Sequence, residues 1–269
     1  MAFFNFLKEK IIEPVVHENE QGLTLIDGAH ILNNCNRVKV DGKAVILESH
    51  NSTFDYVQGR AKIQILNGGK VVEISDKAKI GHVKDCYIAT VKDNVKITTI
   101  ASGSIDYIKG RCSVKTLNNG NIRFLNDNCR IDTMNNGKVL FVRNNAKIGT
   151  MNNGFVESVM DNAQISTIQN GKINYVLDKA NIGTINHCTI NEVCDNSEIG
   201  TFADGEINVI VGSSIICQQM GGKINTKQQG SMVVYVKKEK QNNRKTKAKK
   251  SNIDEVNIGE QISLINEEK

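Results

Sequence analysis

Side chains that could bind or react recur in this chain every 17 residues. One column is threonine: Thr99, Thr116, Thr133, Thr150, Thr167, Thr184 and Thr201. Facing outward, it would be a row of hydroxyls and methyls about 4.8 Å apart. The bonding expected of it is internal, with hydroxyls linked along a stack or satisfying backbone groups at corners. A basic column holds Lys62, Lys79, Lys96, Arg130 and Lys147, and suggests nucleic acid or another anion. An acidic column holds Asp76, Asp93, Asp127, Asp161, Asp178 and Asp195, the first three lying three residues before Lys79, Lys96 and Arg130. Columns of opposite sign running side by side cancel much of the field, and surface pairs contribute only about 0–1 kcal/mol. The expectation is therefore a solvated, patterned face. A fourth column includes Tyr56, Tyr107, Phe124, Phe141 and Tyr175. Exposed, these five are the candidate protein-contact strip; packed against neighbouring corners, they are satellite core.

Catalytic and metal-binding signals are poor. His187, Cys188 and Cys194 lie close in sequence, but no second pair completes a tetrahedral set. Cys112 and Cys129 occupy equivalent places in adjacent repeats, within potential disulfide range. Asn67-Gly68-Gly69-Lys70 reads as a turn, and no phosphate loop of the GxxxxGK[ST] type occurs. No nucleophile, base and orienting group stand apart from the repeat. The expectation is a protein with no catalytic residue, metal, cofactor or small-molecule substrate.

The columns require an element that returns the chain to the same place every 17 residues. Ten consecutive copies run from Ala61 to Gly230 almost without insertion, as in AKIGTMNNGFVESVMDN (146–162) followed by AQISTIQNGKINYVLDK (163–179). Each copy splits into an eight-residue and a nine-residue half. Counting from the first small residue, position 3 is Ile or Val throughout, from Ile63 to Ile216, and position 11 likewise, from Val71 to Ile224. Positions 6 and 14 are apolar through Phe202 and Ile210; position 1 is Ala, Cys or Ser in most copies and position 9 is Gly or Cys. β-Branched residues favour strands. The three-residue gap between apolar positions breaks strict alternation, so each half should be two short extended pieces around a corner, followed by a turn. Asn-Asn-Gly and Asp-Asn-Ala supply the turns, since Asn and Gly accept left-handed backbone. The repeated Asn-Gly pairs also suit an antiparallel meander of hairpins, but that arrangement demands alternation along each strand.

Burying four Ile or Val side chains contributes about 6–12 kcal/mol gross per unit, whereas ordering 17 backbones costs about 1–2 kcal/mol each. A unit cannot fold alone and must stack on its neighbours. The sequence therefore predicts an all-β, single-stranded parallel β-solenoid with 17-residue (8+9) coils, ten of which make a rod about 48 Å long. Residues 1–22, with Phe3, Phe4, Phe6, Leu7, Ile11 and Ile12 among charges and Pro14 at the end, suggest a short N-terminal helix cap. The solenoid is expected over 23–238, registering in degenerate form from about residue 27. A basic tail follows over 239–269.

Composition bounds the rest. The chain has 269 residues, no Trp, one Pro and a formal charge of +5. Much of that charge lies in 237–250, where Lys237, Lys238, Lys240, Arg244, Lys245, Lys247, Lys249 and Lys250 oppose one Glu. These eight are the candidate anion-binding residues. The first residues contain Lys inside their apolar stretch and no small-residue cleavage site, which is unlike a secretory leader, and no apolar run is long enough to span a membrane. Seven cysteines, mostly at small positions, read as core fillers in a reducing, cytoplasmic setting.

A regular β-helix between short tails resembles the bactofilins, which polymerise end to end, and arrays with Asn-Ala-x-Ile resemble those of phage and mobile-element proteins. The threonine column resembles that of ice-binding solenoids, although those present two Thr per coil, and position 4 here is mostly Gly, Ser, Asp or Lys. Pentapeptide-repeat proteins share the small-x-Ile start but not the 17-residue step, and calcium-binding β-rolls use a GGxGxD nonapeptide that is missing here. The expected function is a non-enzymatic structural or protein-interaction scaffold of the phage, virion-associated or cytoskeleton-like kind, binding a protein partner or itself. The alternative is a nucleic-acid-associated module that uses the basic tail.

Overall fold

A computed structural model describes residues 13–235. They form a parallel β-solenoid of about 13 turns, and no helix occurs among the described residues. Each coil contributes two strand segments, and each segment pairs in parallel with its counterpart one coil on, so that 24 strands join one continuous sheet. The hairpin meander suggested by Asn-Gly is thereby excluded.

From Lys62 the register is constant until the last strand pair, where it shifts between Ile216 and Gln219. Ile63 pairs with Ile80, Ile97 with Val114, Ile131 with Ile148 and Ile182 with Ile199. The ladders pass over positions 4 and 12 of every coil, so Ile97 and Thr99 are paired while Thr98 is not. These unpaired residues are the corners that the three-residue apolar spacing demanded.

The interior is built as the columns implied. Ile63, Leu66, Val71 and Ile74 are buried, as are the equivalent residues of coil after coil to Ile210. The small residues at position 1, from Ala61 to Ser214, are buried with them. Ser197 and Ser214 are tolerated there because their hydroxyls donate to the carbonyls of Cys194 and Val211 at 2.7 and 2.6 Å. Packing decays at the carboxyl end of the rod. Gln219 and Lys227 replace apolar residues, Ile224 is only partly buried and Lys227 is exposed.

Position 16 turns the chain. It is Gly, Asp or Asn in ten successive coils, from Gly59 to Gly212, with φ between +58° and +87°. The N–H of the next residue but one closes the turn onto the carbonyl of position 15, as from Ala78 to Ser75 at 3.3 Å. Positive φ at the second turn residue is the type II′ pattern, which selects Gly, Asn and Asp. At the other turn, Asn119, Asn136, Asn153 and Asn170 carry the positive φ. Gly120 and Gly137, which follow two of them, do not. They are glycine for lack of space, since a Cβ on Gly137 would lie 2.9 Å from the Leu117 side chain.

The stack begins earlier than the 17-residue pattern. Val15–Glu18, expected in the N-terminal segment, is a strand in register with Ala29–Asn33. Val15 pairs with His30 and Thr24 with Lys39, steps of fifteen residues. Such coils are out of phase with the later repeat. The remainder of the expected helix cap lies in residues 1–12, outside the described residues. The basic residues Lys237, Lys238, Lys240, Arg244, Lys245, Lys247, Lys249 and Lys250 also lie outside them.

Candidate interaction faces

The aromatic column is brought together in part. Tyr107, Phe124 and Phe141 stack ring on ring, with centroids 4.9 and 5.0 Å apart and nearly parallel planes. Arg143 lies over both Phe124 and Phe141, at 5.3 and 4.8 Å, and Arg123 also covers Phe124. Phe124 is thus covered on both faces by its neighbours, and Phe141 by Phe124 and Arg143, which leaves Tyr107 as the end of the stack. Tyr56 and Tyr175 stand apart: their ladder neighbours are Lys39 and Glu73 for Tyr56, and Ser158 and Glu192 for Tyr175. Tyr107 and Tyr175 are each 40 % exposed.

The acidic column has a backbone role. Asp76, Asp93, Asp127, Asp161, Asp178 and Asp195 each accept, through Oδ2, the N–H of the position-16 residue one coil earlier, at 2.8–3.2 Å. Each carboxylate satisfies a donor that the left-handed turn would otherwise leave to solvent. Among the described residues no ion pair joins Asp76 to Lys79, Asp93 to Lys96 or Asp127 to Arg130. The pairing of the two columns expected from their spacing is absent because the acidic oxygens point along the rod.

The threonines lie in one register from Thr99 to Thr201 and are half-buried. The hydroxyl bonding expected along the stack is not found, except between Thr201 and Gln218 at 3.5 Å. What holds the column is packing of β-branched side chains on a pleated surface.

Amide ladders went unnoticed in the sequence. Asn152 donates to Asn135 and Asn135 to Asn118, both at 2.9 Å. At position 12, a second ladder runs from Asn225 through Asn208, Asn191 and Asn174 to Glu157 at 2.8–3.2 Å. Their period of 17 is visible in the sequence, yet nothing there says that asparagine at that step bonds to its own copy.

Cysteine chemistry is muted. Burial pushes the Cys86 and Cys188 thiols up to about 12, so both stay protonated at neutral pH. Cys112 and Cys129 face each other across adjacent coils, the Cys112 N–H meeting the Cys129 Sγ at 3.3 Å, and the Cys129 thiol is pushed strongly upward by its hydrogen bond to Cys112. His187 pairs with Asp204 at 2.8 Å, away from any thiol set. Among the described residues, no three His, Cys, Asp or Glu side chains are placed to hold a metal ion, and no helix is long and apolar enough to cross a membrane.

Two shallow grooves lie on the outer surface of the described residues. One, of about 620 Å³, follows the turn column beside Asp127, Asn144 and Asp161. The other, of about 410 Å³, lies on the basic column between Lys96 and Arg130. Comparison with family models, curated proteins and solved structures finds no match.

Proposed function

We propose that this chain is a non-enzymatic scaffold, a rigid rod whose sides or ends bind a protein partner or a second copy. The observation that supports this reading most is the unbroken register from Lys62 to Lys227, with no inserted loop from which a cleft could be built. One aromatic stack, two amide ladders and the aspartate column tie successive coils together along the rod. The terminal strands Val15–Glu18 and Met232–Tyr235 each pair on one edge only among the described residues, and they expose Val15, Val16, Met232 and Tyr235. Such edges invite strand addition.

Sedimentation velocity of the full chain over a concentration series, paired with affinity capture from the native host, tests the scaffold reading. Concentration-dependent assembly, or a stoichiometric protein partner that survives high salt, is expected. A monomer that retains no protein, or turnover of any offered polysaccharide, would overturn it. Capture of nucleic acid alone, lost at high salt and on replacing the cations of 237–250, would favour the tail-based alternative.

A further inference from the structure

The basic column contains a gap with the makings of an anion site. Lys62 pairs directly with Lys79 and Lys79 with Lys96, then Lys96 with Ser113, Ser113 with Arg130 and Arg130 with Lys147. Cations stacked in register repel one another, and the aspartates that could have relieved them are bonded to backbone N–H groups instead. Ser113 is the one short residue in this row. Its place opens the 410 Å³ groove, which Lys96, Thr98, Arg111, Lys115 and Arg130 surround. Arg111 and Lys115 flank Ser113 two residues away on either side, so four cations line one groove together with the Ser113 hydroxyl. Asp132 is the single carboxylate lining the groove, and its 3.3 Å contact is to the Nε of Arg130. Among the described residues, Lys96, Arg111 and Lys115 make no ion pair.

We infer that this groove binds a phosphate group carried on a linear polyanion. Guanidinium and ammonium donors with a neighbouring hydroxyl match the oxygens of a phosphate. Further cations extend in a straight row from Lys62 to Lys147, a span of about 24 Å at the inter-strand spacing, with Lys43, Arg60 and Lys77 exposed on the adjoining turns. A single free ion would use the groove only; a polymer also neutralises the row. The surface is separate from the tail at 237–250 and lies on the body of the rod.

The test is binding of a fluorescein-labelled single-stranded oligothymidylate to the full chain, with Ser113→Glu, the pair Lys96→Ala and Arg130→Ala, and a charge-matched control pair, Lys84→Ala and Lys172→Ala, on other columns. All these positions are at the surface, and circular dichroism checks the fold. Both groove variants should weaken binding by about tenfold or more, and the double variant should lower the slope of log affinity against log salt by about one to two. The control should stay within about twofold of the parent. Groove variants that bind like the parent, or a control that loses as much, overturn the site. Competition separates the sources of phosphate: inorganic polyphosphate should displace the oligomer, whereas orthophosphate displacing it equally well per phosphate would overturn the polymer as ligand.

Discussion

Asp161 shows what one residue does in this architecture. It sits at φ 60°, accepts the Asn144 N–H at 3.0 Å and gives its own N–H to Asp178 at 3.0 Å. Asp161→Ala keeps a Cβ in left-handed backbone and removes the acceptor, so it should cost about 1–3 kcal/mol. Asp161→Gly should cost less, because glycine adopts that φ freely, and Asp161→Asn least, since it keeps an acceptor; urea midpoints would rank them. The sequence made the turn legible through the residue type, but it offered the column as acidic surface, because the direction of a carboxylate is settled by the coil below it. A second residue-scale consequence concerns pH. Cys86 and Cys188 have thiols raised by burial to about 12, above the unfolded value near 9. As pH rises past 9, the unfolded chain loses these protons while the folded chain keeps them, so stability falls with pH until the folded thiols ionise. Replacing both by Ala should flatten the decline between pH 9 and 12 by up to about 1.4 kcal/mol per pH unit for each thiol, read from denaturation midpoints across that window.

At the scale of the coil, positions 6 and 9 share one space. Cysteine at position 9 appears with Val83 and Ile185 at position 6, and glycine elsewhere; beside Ile100 and Ile168 the glycine carries a positive φ, whereas beside Leu117, Met134 and Met151 it does not and only space selects it. A Cβ on Gly137 would lie 2.9 Å from Leu117 of the coil before and 3.0 Å from Met134 of its own coil. Gly137→Cys alone should destabilise by about 1–3 kcal/mol through overpacking. Met134→Val alone should cost about 1 kcal/mol through the void. Combined, they reproduce the Val83 and Cys86 pair and should cost at least 1 kcal/mol less than their sum, a coupling that a double-mutant cycle measures. Additive costs would mean the two positions do not share the layer. The same scale separates what sequence disclosed from what it hid. Columns of Ile and Val disclosed the later coils, because a constant period places identical residues in one register. The first coils escaped notice because their fifteen-residue steps, seen at Val15 and His30, break that phase while the backbone ladder continues unchanged. The groove at Ser113 was equally hidden: a serine in a basic column looks like a weakening of the pattern until Arg111 and Lys115 are seen on either side of it.

Over the whole molecule, stability should be a sum over layers and their nearest neighbours, since each coil touches only the coil before and the coil after. Residues 129–145 make up one coil. Removing them joins Asn128 to Ala146, so Cys112 comes to lie beneath Ala146, Val114 beneath Ile148 and Thr116 beneath Thr150, each a pairing of the kind already present elsewhere in the rod. The shortened chain should fold with an unchanged β signal, unfold cooperatively and measure about 4.8 Å less in length by small-angle scattering. Removing only 129–134 deletes fewer residues but leaves an eleven-residue remnant of that coil, too short to return the chain to register, so the coils before and after it cannot stack on one axis. That chain should aggregate or lose its β signal. If the two deletions behave alike, the rod is not held by register between like residues, and the shared axis on which every face described above depends would have to be abandoned.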